Sequence, residues 1–360
     1  MLNSYYNYPH FDQWGDASYL SGNDCFDLNR FQRSEAGRDL AAARSLMTEY
    51  SDVDDPALLR RWESIGVRCE VLRQDDEPFL VFAPLQAYEN RCEKLPVMLI
   101  FRPVGLLAEA FYLRMIELAA QGEFIAMIYC DEDPDGNDRF LPMLEQVRQK
   151  FSVDDSRIYV TGHSHYGELA MEFMRRHHQK IAGVAQQGDT PGMILQFYGL
   201  TQEKLDQMHE MDMPLSLITG TTEMVGPFPI NTDAPGVSED SFYRRSPFPM
   251  NVEDRIRTWQ NRLYAMNCPI STPQEIQDAA QGDTVRKVLG VPCDRTEVMY
   301  FSGAEYYKAD FRNNNGDFHF QVIGVENLPH TTCTVMHNLS WSYLRRFARD
   351  LRTGAVIERY

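Results

Sequence analysis

At 360 residues the chain is long enough for one large α/β domain with insertions, or for two smaller domains. Its net charge of −17, from 35 Lys and Arg against 52 Asp and Glu, argues against nucleic acid or an anionic membrane as a partner. No apolar run reaches membrane-spanning length, and the N-terminus has neither the basic start nor the apolar core of a secretory leader.

Residues 1–30 are rich in Tyr, Asn, Asp and Gly without periodicity and read as irregular. Helical patterns cover 31–49 and 56–64, the second opened by Asp55 with Pro56 at the first helical position. Residues 67–72 and 79–83 read as a hairpin around a polar turn. From 96 onward strand and helix alternate. Strands are expected at 97–101, 124–129, 158–161, 181–185 and 215–219, with helices at 108–120, 141–151, 164–178 and 201–211. Such alternation predicts a mostly parallel central sheet with helices on both faces, and a site beyond the carboxyl ends of the strands.

Residues 225–300, rich in Pro, Asn and Asp with one clear helix at 252–266, interrupt the rhythm and read as a cap-like insertion. A strand at 318–324, a loop at 325–336 and an amphipathic helix at 339–351 complete the chain. The expected organisation is an N-terminal extension, 1–65, and an α/β domain, 66–360, carrying the insertion before its last strand. Seven cysteines without paired spacing point to buried, reduced thiols and a cytoplasmic location.

The chemistry centres on Gly162-His163-Ser164-His165-Tyr166-Gly167, between the strand at 158–161 and the next helix. A serine at such a corner is either a nucleophile with its Oγ exposed over a helix N-terminus, or the N-cap of a crossover helix. A nucleophilic serine needs a base to take its proton and a third group to orient that base. Both partners are expected later in the chain, after strands. Glu223, three residues past Gly220, fits the acid, with Asp189 as competitor. His330, between the last strand and the last helix, fits the base better than His337. His319 lies within a strand pattern and reads as structural. His163 and His165 flank the serine and project away from it, His177 and His178 end a helix, and His10 and His209 have no context.

An oxyanion would take the N–H of His165 and one from the loop after the first sheet strand. In Phe101-Arg102-Pro103-Val104 that donor is Val104, because Pro103 has no N–H. Arg102 reads as a surface residue or a ligand for a substrate carboxylate. The acidic stretch 131–138 starts like a calcium loop, but its twelfth position is Pro142, so it reads as an acidic loop. No zinc spacing or phosphate-binding glycine loop is present, and neither metal nor organic cofactor is expected.

The run from Ser152 through Gly162-His163-Ser164 closely resembles the elbow of the polyhydroxybutyrate-depolymerase-like and feruloyl-esterase-like α/β-hydrolases. The similarity continues through Ile181-Ala-Gly-Val-Ala, Thr219-Gly-Thr-Thr-Glu223, Trp259, Asn267-Cys268 and Leu328-Pro-His330, over about 66–350. Three positions depart from the family pattern: Tyr166 replaces the elbow glycine, Glu223 replaces aspartate, and Arg102-Pro103 stands where histidine-glycine is usual. The resemblance implies an α/β-hydrolase fold with Ser164 as nucleophile, Glu223 as acid and His330 as base. The implied activity is hydrolysis of a small-molecule carboxylic ester through an acyl-enzyme. A peptidase of the same fold and a non-catalytic binding protein are the alternatives, and a homo-oligomer is compatible with the sequence.

Overall fold

The computed structural model describes residues 27–50, 52–75, 77–89, 93–101, 115–129, 136–188, 201–222 and 252–359, and only the backbone of 136, 137, 165, 252 and 254. The chain divides into two compact units. One comprises the described residues of Asp39–Ala185 and Thr332–Tyr360, the other those of His10–Arg38 and Gln186–Thr331.

In the first unit the helix Pro56–Ser64 starts where expected, Asp55 accepting from Ala57 N at 2.7 Å. The hairpin follows: β1 (Val67–Gln74) pairs antiparallel with β2 (Glu77–Pro84), and Asp75 takes a left-handed φ of 50° at the corner. β2 runs antiparallel to β4 (Ile125–Tyr129), whereas β3 (Leu95–Phe101) is parallel to both β4 and β5 (Val153–His163). Every residue of β3 and β4 is buried, as continuous apolar runs in a parallel sheet require.

β5 starts five residues before the expected strand because its polar residues satisfy one another. Asp154 accepts from Ser156 N at 3.1 Å, Ser156 Oγ at 2.6 Å and Arg157 Nε at 2.6 Å, while Asp155 pairs with Arg148 at 2.7 Å. The helix His165–His177 packs on β5 and β3, burying Leu169, Ala170, Phe173 and Met174. Its Phe173 ring lies 5.3 Å from Phe101, which lies 4.7 Å from Phe140 of the helix Phe140–Lys150. Burial of side chains this size stabilises by about 1.5–3 kcal/mol each.

The expected helix 339–351 is displaced. It spans Thr334–Leu344, its first turn met by Asp39, which accepts from Thr334 N at 2.7 Å. The residues beyond form β11 (Phe347–Arg349), antiparallel to β12 (Val356–Glu358). The buried Arg349 guanidinium fixes that change, donating to Ile181 O at 2.6 Å and Gly354 O at 3.0 Å.

β6 (Gly183–Gln187) lies where the units meet in sequence. In the second unit Gly188 N donates to Ile218 O at 2.8 Å; β7 (Leu215–Gly220) is parallel to β10 (Phe320–Val325). The described part of the expected insertion holds three helices, Val252–Ala265, Pro273–Ala279 and Thr284–Leu289, rather than one, and then a hairpin. Those two short helices are too brief to show a period, and their signals are caps: a Thr272–Glu275 capping box, and Asp283 with Gly290 at φ 65°. In the hairpin β8 (Arg295–Phe301) pairs antiparallel with β9 (Ala304–Phe311), which pairs antiparallel with β10. Its corner, Ser302-Gly303, has φ of 45° and 94°, positive at both central residues as twisted hairpins prefer. The class is therefore the expected one, α/β: within each unit parallel strands are flanked by antiparallel ones.

Candidate active site

Ser164 is the corner between β5 and the helix His165–His177, with φ 58° and ψ −138°. A residue with a Cβ holds such a backbone only under constraint, at a cost of about 1–3 kcal/mol. The constraint is visible at Gly162. A Cβ there would lie 2.7 Å from Gly167 N and closer still to the Tyr166 carbonyl, so the helix backbone rests directly on the strand. Gly167 N donates to Ser164 O at 2.9 Å and closes the turn.

The Ser164 side chain makes no cap hydrogen bond to the helix. A plain N-cap would use its hydroxyl oxygen for that purpose, so the corner does not hold Ser164 in the capping role. Its half-buried side chain stands over a helix N-terminus, where the His165 N–H is among those with no intrahelical acceptor. Tyr166, in place of the usual glycine, is buried at 7% exposure and finds its room inside the unit. At the far end of this helix Asp138 receives Arg176 and His177, each at 2.7 Å, so the described end of the acidic stretch anchors the helix C-terminus.

In the second unit two turns lock together. β7 ends at Gly220, and a Cβ there would lie 2.6 Å from the Leu328 carbonyl carbon. Thr221 N donates to Val325 O at 2.9 Å, Thr222 N to Leu328 O at 3.3 Å, and Asn327 N to Thr221 Oγ1 at 3.0 Å. Asn327 adopts φ 54°, a left-handed conformation that asparagine tolerates better than most residues. The first turn leads to position 223 and the second to His330, which is buried at 3% exposure. Ser164 belongs to the first unit and His330 to the second. Glu223, Val104, Arg102, Pro103, Asp189 and 131–135 lie outside the described residues.

Other histidines hold structure. His337 is fully buried in its helix, with Nε2 3.3 Å from Thr332 Oγ1. His319 Nδ1 meets Asp212 Oδ1 at 2.6 Å, and His209 stacks on Tyr264 with its ring centroid 4.5 Å away. Burial pushes the Cys268 and Cys293 thiols up to about 12 and Cys69 higher, which keeps all three protonated and poor nucleophiles. Trp259, one of the positions carrying the resemblance, is a core residue packed 6.2 Å from Phe311 and 6.3 Å from Phe320. Among the described residues no group of His, Cys, Asp and Glu is arranged to hold a metal ion.

Around Ser164 and the His330 turn, sequence patterns gave no sign of the Thr221–Asn327 bond between the turns or of the burial of Glu168 in the first turn of the helix after Ser164. For the second, a signal lies in position rather than pattern: an acidic residue beside Leu169 and Ala170 near a helix N-terminus, where the dipole favours it.

No family model matches the sequence, and no curated protein does. Among solved structures the chain is similar to a thermostable esterase, at 12% identity and a TM-score of 0.34 over 45% of this chain and 48% of the other. Of that protein's length the chain thus spans about half. It is also similar to a ferulic acid esterase, at 14% identity and a TM-score of 0.34 over 44% and 79%. A third is Est1E from Butyrivibrio proteoclasticus, at 15% identity and a TM-score of 0.34 over 45% and 81%. Likeness at this level carries no weight for the chemistry, which rests on the chain's own geometry.

Proposed function

We propose that the protein is a serine hydrolase of the α/β-hydrolase fold that cleaves a small-molecule carboxylic ester. Ser164 Oγ attacks the ester carbonyl while His330 takes its proton, with Glu223 holding the imidazole in the tautomer that accepts it. The N–H groups of His165 and Val104 receive the oxyanion. His330 then returns the proton to the leaving alcohol, and water releases the acyl group from Ser164 by the same steps in reverse.

The observation that supports this reading is the strained backbone of Ser164, φ 58° and ψ −138°, held at a strand end with its hydroxyl unused as a cap. Nothing in helix capping needs that strain, whereas presenting Oγ over a helix N-terminus does. The lock between the turns that precede Glu223 and His330 supports an acid and a base acting as a pair.

Among the described residues no helix is long and apolar enough to cross a membrane. We assign a cytoplasmic placement, supported by Cys69, Cys268 and Cys293, which stand as thiols rather than disulfides.

The test is hydrolysis of p-nitrophenyl esters of graded acyl length by wild type and by Ser164→Ala, His330→Gln and Glu223→Gln. The reading requires turnover by wild type, with kcat reduced about 10²–10⁴-fold or more in the three variants. Full turnover by Ser164→Ala would overturn it.

A further inference from the structure

The segment just before the helix Glu35–Glu49 is bound to the turn that leads to His330. Asp27 N donates to Asn327 Oδ1 at 2.9 Å, and Asn327 Nδ2 returns a bond to Asp27 O at 2.9 Å. One turn along the helix Leu28–Arg33, the Arg30 guanidinium forms a two-pronged pair with Glu326, with Nη1 to Oε1 at 2.6 Å and Nη2 on Oε2. Arg30 Nε also reaches Gly303 O at 3.4 Å, and Glu326 Oε2 accepts from Glu305 N at 3.2 Å. Glu326 and Asn327 are the residues whose neighbours, Val325 and Leu328, receive the N–H groups of Thr221 and Thr222.

Two consecutive residues of one turn are therefore gripped from the N-terminal side by side chains and backbone more than 290 positions away in sequence. The grip serves a residue that needs it. Asn327 sits at φ 54°, and its own N–H is spent on Thr221 Oγ1, so its side-chain amide is free to be the handle. Bidentate arginine–carboxylate pairs fix orientation as well as distance, which a single flexible ammonium would not. At 17% side-chain exposure Glu326 is shielded enough for the pair to hold its geometry.

We infer that Asp27–Arg33 is a positioning strap for the base, with Arg30 and Asn327 as positioning residues that act through the turn on His330. This rests on the reading of His330 as the base. The strap sets how often the imidazole stands where it can take the Ser164 proton, and it touches neither substrate nor nucleophile. Loss of the strap therefore lowers kcat and leaves KM in place, because a displaced base slows the chemical step without altering the binding surface.

The experiment measures amide hydrogen exchange of the 326–331 segment, and ester kcat and KM, in wild type, Arg30→Ala, Arg30→Lys and the swapped pair Arg30→Glu with Glu326→Arg. Ser164→Ala and His330→Gln run alongside. Arg30→Ala is expected to speed exchange at 326–331 and to cut kcat about tenfold at unchanged KM. Arg30→Lys should recover part of both effects and the swapped pair most of them. Unchanged exchange in Arg30→Ala would overturn the strap whatever the activity shows, and faster exchange with unchanged kcat would overturn its positioning role. If Arg30→Ala does not fold, Arg30→Lys carries the same comparison. Failure of the underlying reading has its own signature, full activity in His330→Gln, which the strap variants cannot mimic.

Discussion

Leu328 O occupies the place that a Cβ on Gly220 would take, so the end of β7 and the turn after β10 leave no room for a side chain between them. Gly220→Ala would place a Cβ 2.6 Å from the Leu328 carbonyl carbon, and the turn would have to move away. The expected cost is about 2 kcal/mol or more, from backbone that cannot yield as a flexible side chain does. Thermal unfolding should show a lower Tm, and ester turnover per folded molecule should fall with it, because the same shift moves His330. An alanine tolerated at both levels would mean that the two turns are not locked.

Ser164 offers a separation of strain from chemistry. Ser164→Ala and Ser164→Gly both remove the nucleophile, but only glycine relaxes at φ 58°. Ser164→Gly is expected to be more stable than Ser164→Ala by about 1 kcal/mol, the relief exceeding glycine's extra unfolded entropy. Calorimetry of the two inactive variants decides this, and equal Tm values would contradict a strained elbow.

The two histidines of the C-terminal region should divide their effects. His337, fully buried against Thr332, serves packing, so His337→Ala should lower stability by about 1–3 kcal/mol while folded molecules keep their kcat. His330→Gln should do the opposite, with kcat lost and Tm little changed. Denaturant titration beside turnover measurement separates them.

Acid stability should trace in part to Asp154. Burial alone would raise its carboxyl, but hydrogen bonds from Ser156 and Arg157 outweigh it and hold the group below the ordinary aspartate value. A carboxyl that binds its proton less readily when folded stabilises the fold above its unfolded pKa of about 4, and that stability is lost as pH falls through the folded value. Wild-type stability should therefore drop more steeply below about pH 4 than that of Asp154→Asn. Urea denaturation at a series of pH values measures the two slopes, and parallel slopes would contradict this role.

How much of this was legible in the sequence depended on where the signal lay. The buried strands announced themselves by continuous apolar runs such as Leu95–Phe101, and Asp55-Pro56 marked a helix start to the residue. The elbow was legible as a corner, but whether Ser164 was strained or merely capping was a matter of backbone angles that no residue pattern encodes. The start of β5 was hidden because Asp154, Asp155 and Arg157 are polar and are held there by the Asp154–Arg157 pair and by the bond of Asp155 to Arg148 on the preceding helix. The last helix was misplaced because its end is set by Arg349 reaching Ile181, a contact 168 residues away in sequence. β8 was missed because an edge strand with exposed Val298 and Tyr300 lacks clean alternation. The hold of Arg30 and Asp27 on the His330 turn, with nearly the whole chain between them, had no local trace at all.

Intact-mass labelling with a fluorophosphonate reads out an activated serine at position 164. One covalent adduct is expected on folded wild type, absent from Ser164→Ala and strongly slowed in His330→Gln. Folded wild type that takes no adduct, or an adduct that persists in Ser164→Ala, would contradict it.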